Sequence, residues 1–110
     1  MEINLKDKCG KQTITRKDGK VINQIIIESW GKENKIIIDF NNILIASVSF
    51  LDEAIGKLAF EYPKKELTEK LSLKDIVDYD KSLLNDILIS RYHQKELEKK
   101  PKPRAKKLKN

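Results

Sequence analysis

Three isoleucines in succession, Ile36, Ile37 and Ile38, follow a break at Gly31 to Asn34 and run directly into Asp39 and Phe40. A strand sends alternate side chains to opposite faces, so an unbroken apolar run describes a strand that must be covered on both sides. Lys35 to Phe40 is therefore the expected central strand of a sheet with helices packed on it. A chain of 110 residues has room for one such domain, which excludes two-domain enzymes.

The elements around that strand follow from spacing. Residues 12–28 read as a hairpin: Thr13 to Thr15 and the β-branched stretch from Val21 flank Asp18-Gly19, a tight-turn dipeptide. Leu51, Ala54, Ile55, Leu58, Ala59 and Tyr62 recur at helical spacing, predicting a helix over 49–62 that Pro63 terminates. Ser49 and Asp52 have the form of its capping box, with Glu53 adding favourable negative charge in the first turn. Lys70 to Leu73 is a short strand, closing a βαβ unit whose two strands should be parallel. A last helix is expected over 80–98, with Leu83, Leu84, Ile87 and Leu88 inward. The expected fold is α/β (α+β): a mixed sheet of about four strands, built from the N-terminal hairpin and the βαβ unit, under two main helices. Residues 1–11 are set apart as an N-terminal extension, 12–94 as the domain and 95–110 as a basic tail.

Charge is unevenly distributed. Lys and Arg number 23 against 17 Asp and Glu, and the net charge of +6 lies in residues 95–110, which hold eight basic residues and two acidic ones. The expectation for this tail is disorder in isolation, since Pro101 and Pro103 interrupt it and its apolar stripe is lost. Lys99, Lys100, Lys102, Arg104, Lys106, Lys107 and Lys109 could contact nucleic acid through phosphates, but no aromatic residue is interleaved for base stacking. The N-terminus lacks an apolar targeting segment, and no stretch is apolar for the length of a membrane span; the expectation is a soluble, cytoplasmic protein with no membrane contact.

Few residues could carry catalysis. One cysteine, Cys9, and one histidine, His93, allow neither an intrachain disulfide nor a structural zinc site. The four glycines stand apart, so no phosphate-binding loop is present and no cofactor is expected. His93 falls on a polar stretch, where a solvated imidazole is the simple reading. Asp39, Glu53 and Lys57 invite a metal-nuclease reading, but Glu53 and Lys57 at i, i+4 describe a surface ion pair, and no metal is expected.

The segment from Ile38 to Leu58 carries Asp39-Phe40, an apolar stretch, Ser47-Val48-Ser49-Phe50, Asp52-Glu53 and Gly56-Lys57-Leu58. In this run it resembles the STAS-like domain family, small relatives of bacterial anti-sigma factor antagonists. The resemblance implies a non-enzymatic, regulatory protein-interaction module acting by partner switching, with a histidine-kinase-type ATPase or anti-sigma-like protein as partner. In the wider superfamily a serine at the strand-to-helix junction is phosphorylated, adding about −1.5 to −2 charge in one step. Here Val48 stands at that position and Phe50 replaces the usual glycine, so either a neighbouring serine takes the role, with Ser49 and Ser47 the candidate phosphoacceptors, or the domain binds its partner without a phosphorylation switch. The implied partner interface is Asn42, Ser47, Ser49, Asp52 and Glu53. Ser49 also has a purely structural reading as a helix cap, and Asn41-Asn42 as a turn. The runner-up function is a nucleic-acid-binding accessory protein acting through the tail. Oligomeric state is not readable from the chain.

Overall fold

The structure, a computed structural model, describes residues 1–99. Its strands form two parallel sheets. The larger has the order β1 (Glu2–Asn4), β3 (Ile36–Asp39), β5 (Leu71–Lys74), and the smaller pairs β2 (Thr13–Ile14) with β4 (Ile45–Ala46). The isoleucine strand is central, as its sequence requires: Ile36 and Ile38 are fully buried, and Ile37, on the other face, is half-buried. Its parallel pairing with β5 across an intervening helical segment is the expected βαβ unit.

The α/β class holds, but its N-terminal third is built differently from the hairpin expected over residues 12–28. Only Thr13–Ile14 is a strand there; Arg16–Ser29 is a helix, α2. Asp18 is not a turn residue. Its carboxylate accepts a hydrogen bond from the Thr15 backbone N–H at 2.9 Å, closing the helix start. The β-branched run that suggested a strand is overridden by packing, because Gly19, Ile22, Asn23 and Ile26 lie on one helical face and all four are buried. Residues 1–11 are likewise more than an extension. They supply edge strand β1 and a short helix α1 (Leu5–Cys9), capped by Asn4 and ended by Gly10 at φ 72°, and bury Ile3 and Leu5 completely.

The helical segment after β4 runs as α3 (Val48–Leu51), a π-helical turn (Asp52–Gly56) and α4 (Leu58–Glu61). Its apolar face, with Leu51, Ala54, Ile55, Leu58 and Ala59 buried, is the one the spacing predicts. Two glycines set the distances at which its neighbours pack. A Cβ on Gly19 would lie 2.9 Å from the Glu53 Cβ and 3.1 Å from the Phe50 carbonyl oxygen; one on Gly56 would lie 2.7 Å from a methyl of Ile87. Asn23 of α2 donates to the Ala54 carbonyl at 3.2 Å, so the π turn is hydrogen-bonded from outside its own helix. Helix α5 (Lys64–Lys70) leads into β5, and α6 (Asp78–Lys99) closes the domain. At the far end of α2, Trp30 stacks on Tyr62 with ring centroids 4.0 Å apart and donates from Nε1 to Glu66 at 2.6 Å.

Candidate functional site: the corner between β4 and α3

The chain turns at Asn41-Asn42, where Asn42 adopts φ 67°, a value asparagine tolerates better than most residues, and then enters β4. Among the described residues strand β4 pairs with β2 alone, through Leu44 and Ile45 N–H groups to the Gln12 carbonyl and the Ser47 N–H to the Ile14 carbonyl. So short a strand leaves its outer side chains uncovered. Leu44 is 73% exposed, Ile45 59%, and Val48 at the first position of α3 55%. Phe50 and Leu51 turn inward and anchor the corner in the core.

Capping falls to Ser47, not Ser49. The Ser47 hydroxyl oxygen accepts from the Phe50 N–H at 2.9 Å, and its extended backbone, φ −66° and ψ 158°, is that of a helix N-cap. Ser49 is already inside the helix. Its half-buried hydroxyl receives a hydrogen bond from an Arg16 Nη2 at 3.4 Å.

The two acidic residues expected to face a partner are turned to internal use. Glu53 is 6% exposed; one oxygen accepts from Arg16 Nη1 at 2.7 Å and the other from Lys57 Nζ at 2.8 Å. The hydrogen bond from Lys57, then that from Arg16, holds its carboxyl below the usual glutamate range against the opposing effect of burial. Asp52 is gripped by Arg91 of α6, with Nε to Oδ1 at 2.9 Å and Nη2 to Oδ2 at 2.5 Å. This fork raises the arginine pKa, and the guanidinium also lies 5.2 Å from the centre of the Phe60 ring. Glu53 is thereby largely buried, and Asp52 serves the contact with α6. Asn42, Ser47 and Ser49 remain at the surface of the corner, the first exposed and the other two half-buried.

The structure brings Glu53 and Lys57 together as the i, i+4 spacing implies, though the carboxylate is buried instead of solvated. Asp39 has other partners: it accepts from the Asn41 N–H at 2.9 Å and from Asn4 at 3.4 Å. Among the described residues no group of three or more His, Cys, Asp or Glu side chains is placed to hold a metal ion. His93 is exposed, and burial, then the nearby Asp18 carboxylate, pushes the Cys9 thiol pKa up, away from the depressed range of activated cysteines. No described helix is long and apolar enough to cross a membrane. Helix α6 carries the first five residues of the basic tail; Lys100, Lys102, Arg104, Lys106, Lys107 and Lys109 lie outside the described residues, as does the backbone they belong to.

Sequence reasoning missed Arg16 and Arg91. No local spacing links Arg91 to Asp52, but Arg16 follows a legible signal: Thr15-x-x-Asp18 has the same form as Ser49-x-x-Asp52, and read as a cap it starts a helix at Arg16.

A family model described as "STAS-like domain of unknown function (DUF4325)" matches residues 18–81, from the first turn of α2 into the start of α6. The chain belongs to this family. The matched span of the STAS-like domain contains the whole corner, the central strand and the helical segment beneath it, whereas β1, α1 and β2, which complete both sheets, precede it. No curated protein and no solved structure matches the chain.

Proposed function

We propose that this STAS-like domain is a regulatory protein-interaction module, without a catalytic role, that engages its partner through the corner between β4 and α3. The observation carrying this reading is the exposure of Leu44, Ile45 and Val48 together, on a corner anchored by the buried Phe50 and Leu51. Singly exposed apolar side chains are ordinary, but three within five residues on a rigid support offer a contact that needs little ordering upon binding. By resemblance the partner is an anti-sigma-type protein or an ATPase of the histidine-kinase class.

Ser49 suits a switch better than Ser47. The Ser47 oxygen is committed to its own helix, whereas among the described residues the Ser49 hydroxyl is bonded only by a partly exposed arginine, which could pair with a phosphate. The test is affinity purification of the full chain with quantitative mass spectrometry, wild type against the Leu44→Ser/Val48→Ser double variant. A partner that the wild type retains and the variant loses is the expected result. Equal recovery by both would refute the corner as the docking face. Phosphopeptide analysis after incubation with the recovered ATPase should place the modification on Ser49.

A further inference from the structure

The corner has the opposite electrostatic sign from its sequence. In the chain, Ser47 to Glu53 carries two carboxylates and no cation. In the fold, Asp52 and Glu53 are neutralised by Arg91, Arg16 and Lys57, and β2, paired beside the exposed apolar residues of β4, belongs to the segment Lys11 to Lys20 that runs on into the start of α2. That segment has four cations and one anion, Asp18, which is buried and paired with Lys11 at 3.2 Å. Arg16 reaches Ser49, and Lys20 lies one helical turn farther along the same side of α2. Against the two carboxylates Asp52 and Glu53 stand three cations, Arg91, Arg16 and Lys57, so with Lys17 and Lys20 the rim keeps a surplus of positive charge over carboxylates that are buried or partly buried.

Building on the interaction reading, we infer that the corner takes an acidic amphipathic segment of a partner protein. Apolar side chains of that segment pack on Leu44, Ile45 and Val48, and its carboxylates face Lys11, Arg16 and Lys20. An apolar centre with a charged rim is the usual anatomy of a protein contact, and the rim sets orientation and encounter rate. The apolar triplet and, among the described residues, the absence of an exposed aromatic residue in the segments around it favour a protein over a nucleic acid as occupant. The same geometry assigns a direction to modification at Ser49: a phosphate beside Arg16 would occupy the cation that the acidic segment needs, and so release it.

The test uses the full-length protein with fluorescein-labelled 16-residue helical peptides that share one leucine stripe and differ only in a glutamate-rich or lysine-rich polar face. Binding is read by anisotropy and mapped by amide chemical shifts. The glutamate series should move the resonances of residues 44–49 and of the first turns of α2. It should weaken about tenfold on Lys20→Glu or Val48→Ser, both at exposed positions, and weaken further with added salt. If the lysine series moves the corner equally well, the inferred sign is wrong while the interaction reading stands. If the glutamate series binds elsewhere on the molecule, or a single-stranded RNA displaces it from the corner, the acidic-segment assignment fails. If no probe disturbs the corner, both readings fall.

Discussion

Arg16 and Glu53, thirty-seven residues apart in the chain, meet at 2.7 Å, and the same guanidinium reaches the Ser49 hydroxyl with its other nitrogen. One arginine therefore joins the start of α2 to both the support and the surface of the corner. Because Lys57 and Arg16 lower the Glu53 pKa below its unfolded value, the unfolded chain takes up the proton first. The stabilisation is complete above the ordinary glutamate value of 4.5 and is lost as pH falls through the lower folded value. Glu53→Gln should cost about 1–3 kcal/mol at pH 7, and the gap from wild type should narrow as the pH is lowered beneath that range. Urea melts across a pH series measure it; a gap independent of pH would mean that the carboxylate charge is not what holds the corner.

Ser47→Ala and Ser49→Ala should separate cap from switch. Loss of the Ser47 cap should cost about 1 kcal/mol, whereas Ser49→Ala should change stability by less than about 0.5 kcal/mol. Thermal or urea denaturation of the two variants decides the matter, and the reverse order would return the capping role to Ser49.

Gly19→Ala improves helix propensity by about 1 kcal/mol on paper, yet it should destabilise. The added methyl meets the Phe50 carbonyl and the Glu53 Cβ, both part of the opposing helix and unable to swing aside. A net loss of about 1–3 kcal/mol is expected from the forced separation of α2 from α3. Stability equal to or above wild type would show that the two helices tolerate a wider spacing.

Arg91→Ala should remove the fork on Asp52 and the contact with Phe60 together, at about 1–3 kcal/mol, and loosen α6. Hydrogen exchange should show faster amide exchange from Ile87 to Tyr92, with β3 unaffected. Protection unchanged along α6 would mean that its apolar contacts alone fix it.

What could be read from the chain followed periodicity. The isoleucine strand and the face of the helical segment beyond the corner follow from the spacing of apolar residues, and the parallel pairing of β3 with β5 from the order strand, helix, strand; the family resemblance rests instead on the run of residue types from Ile38 to Leu58. The hairpin failed where two signals competed: Asp18-Gly19 fits a turn and also fits the third and fourth positions of a helix whose glycine touches another backbone, and only tertiary packing selects the second. The polarity of the corner was illegible for a related reason. Which cation neutralises Glu53 or Asp52 depends on how α2 and α6 cross the helical segment, and neither Arg16 nor Arg91 is near them in sequence.

Because every strand pair among the described residues is parallel, none of these pairs can zip together across a short local turn. Glu2 must find Ile37, Thr13 must find Ile45, and Ile36 must wait for Leu71. A chain emerging from the ribosome can form α2 early, but the larger sheet cannot be completed until β5 has been synthesised and released from the exit tunnel. Until then the isoleucine strand has one open flank, an unpaired edge of the kind that exposes a nascent chain to aggregation.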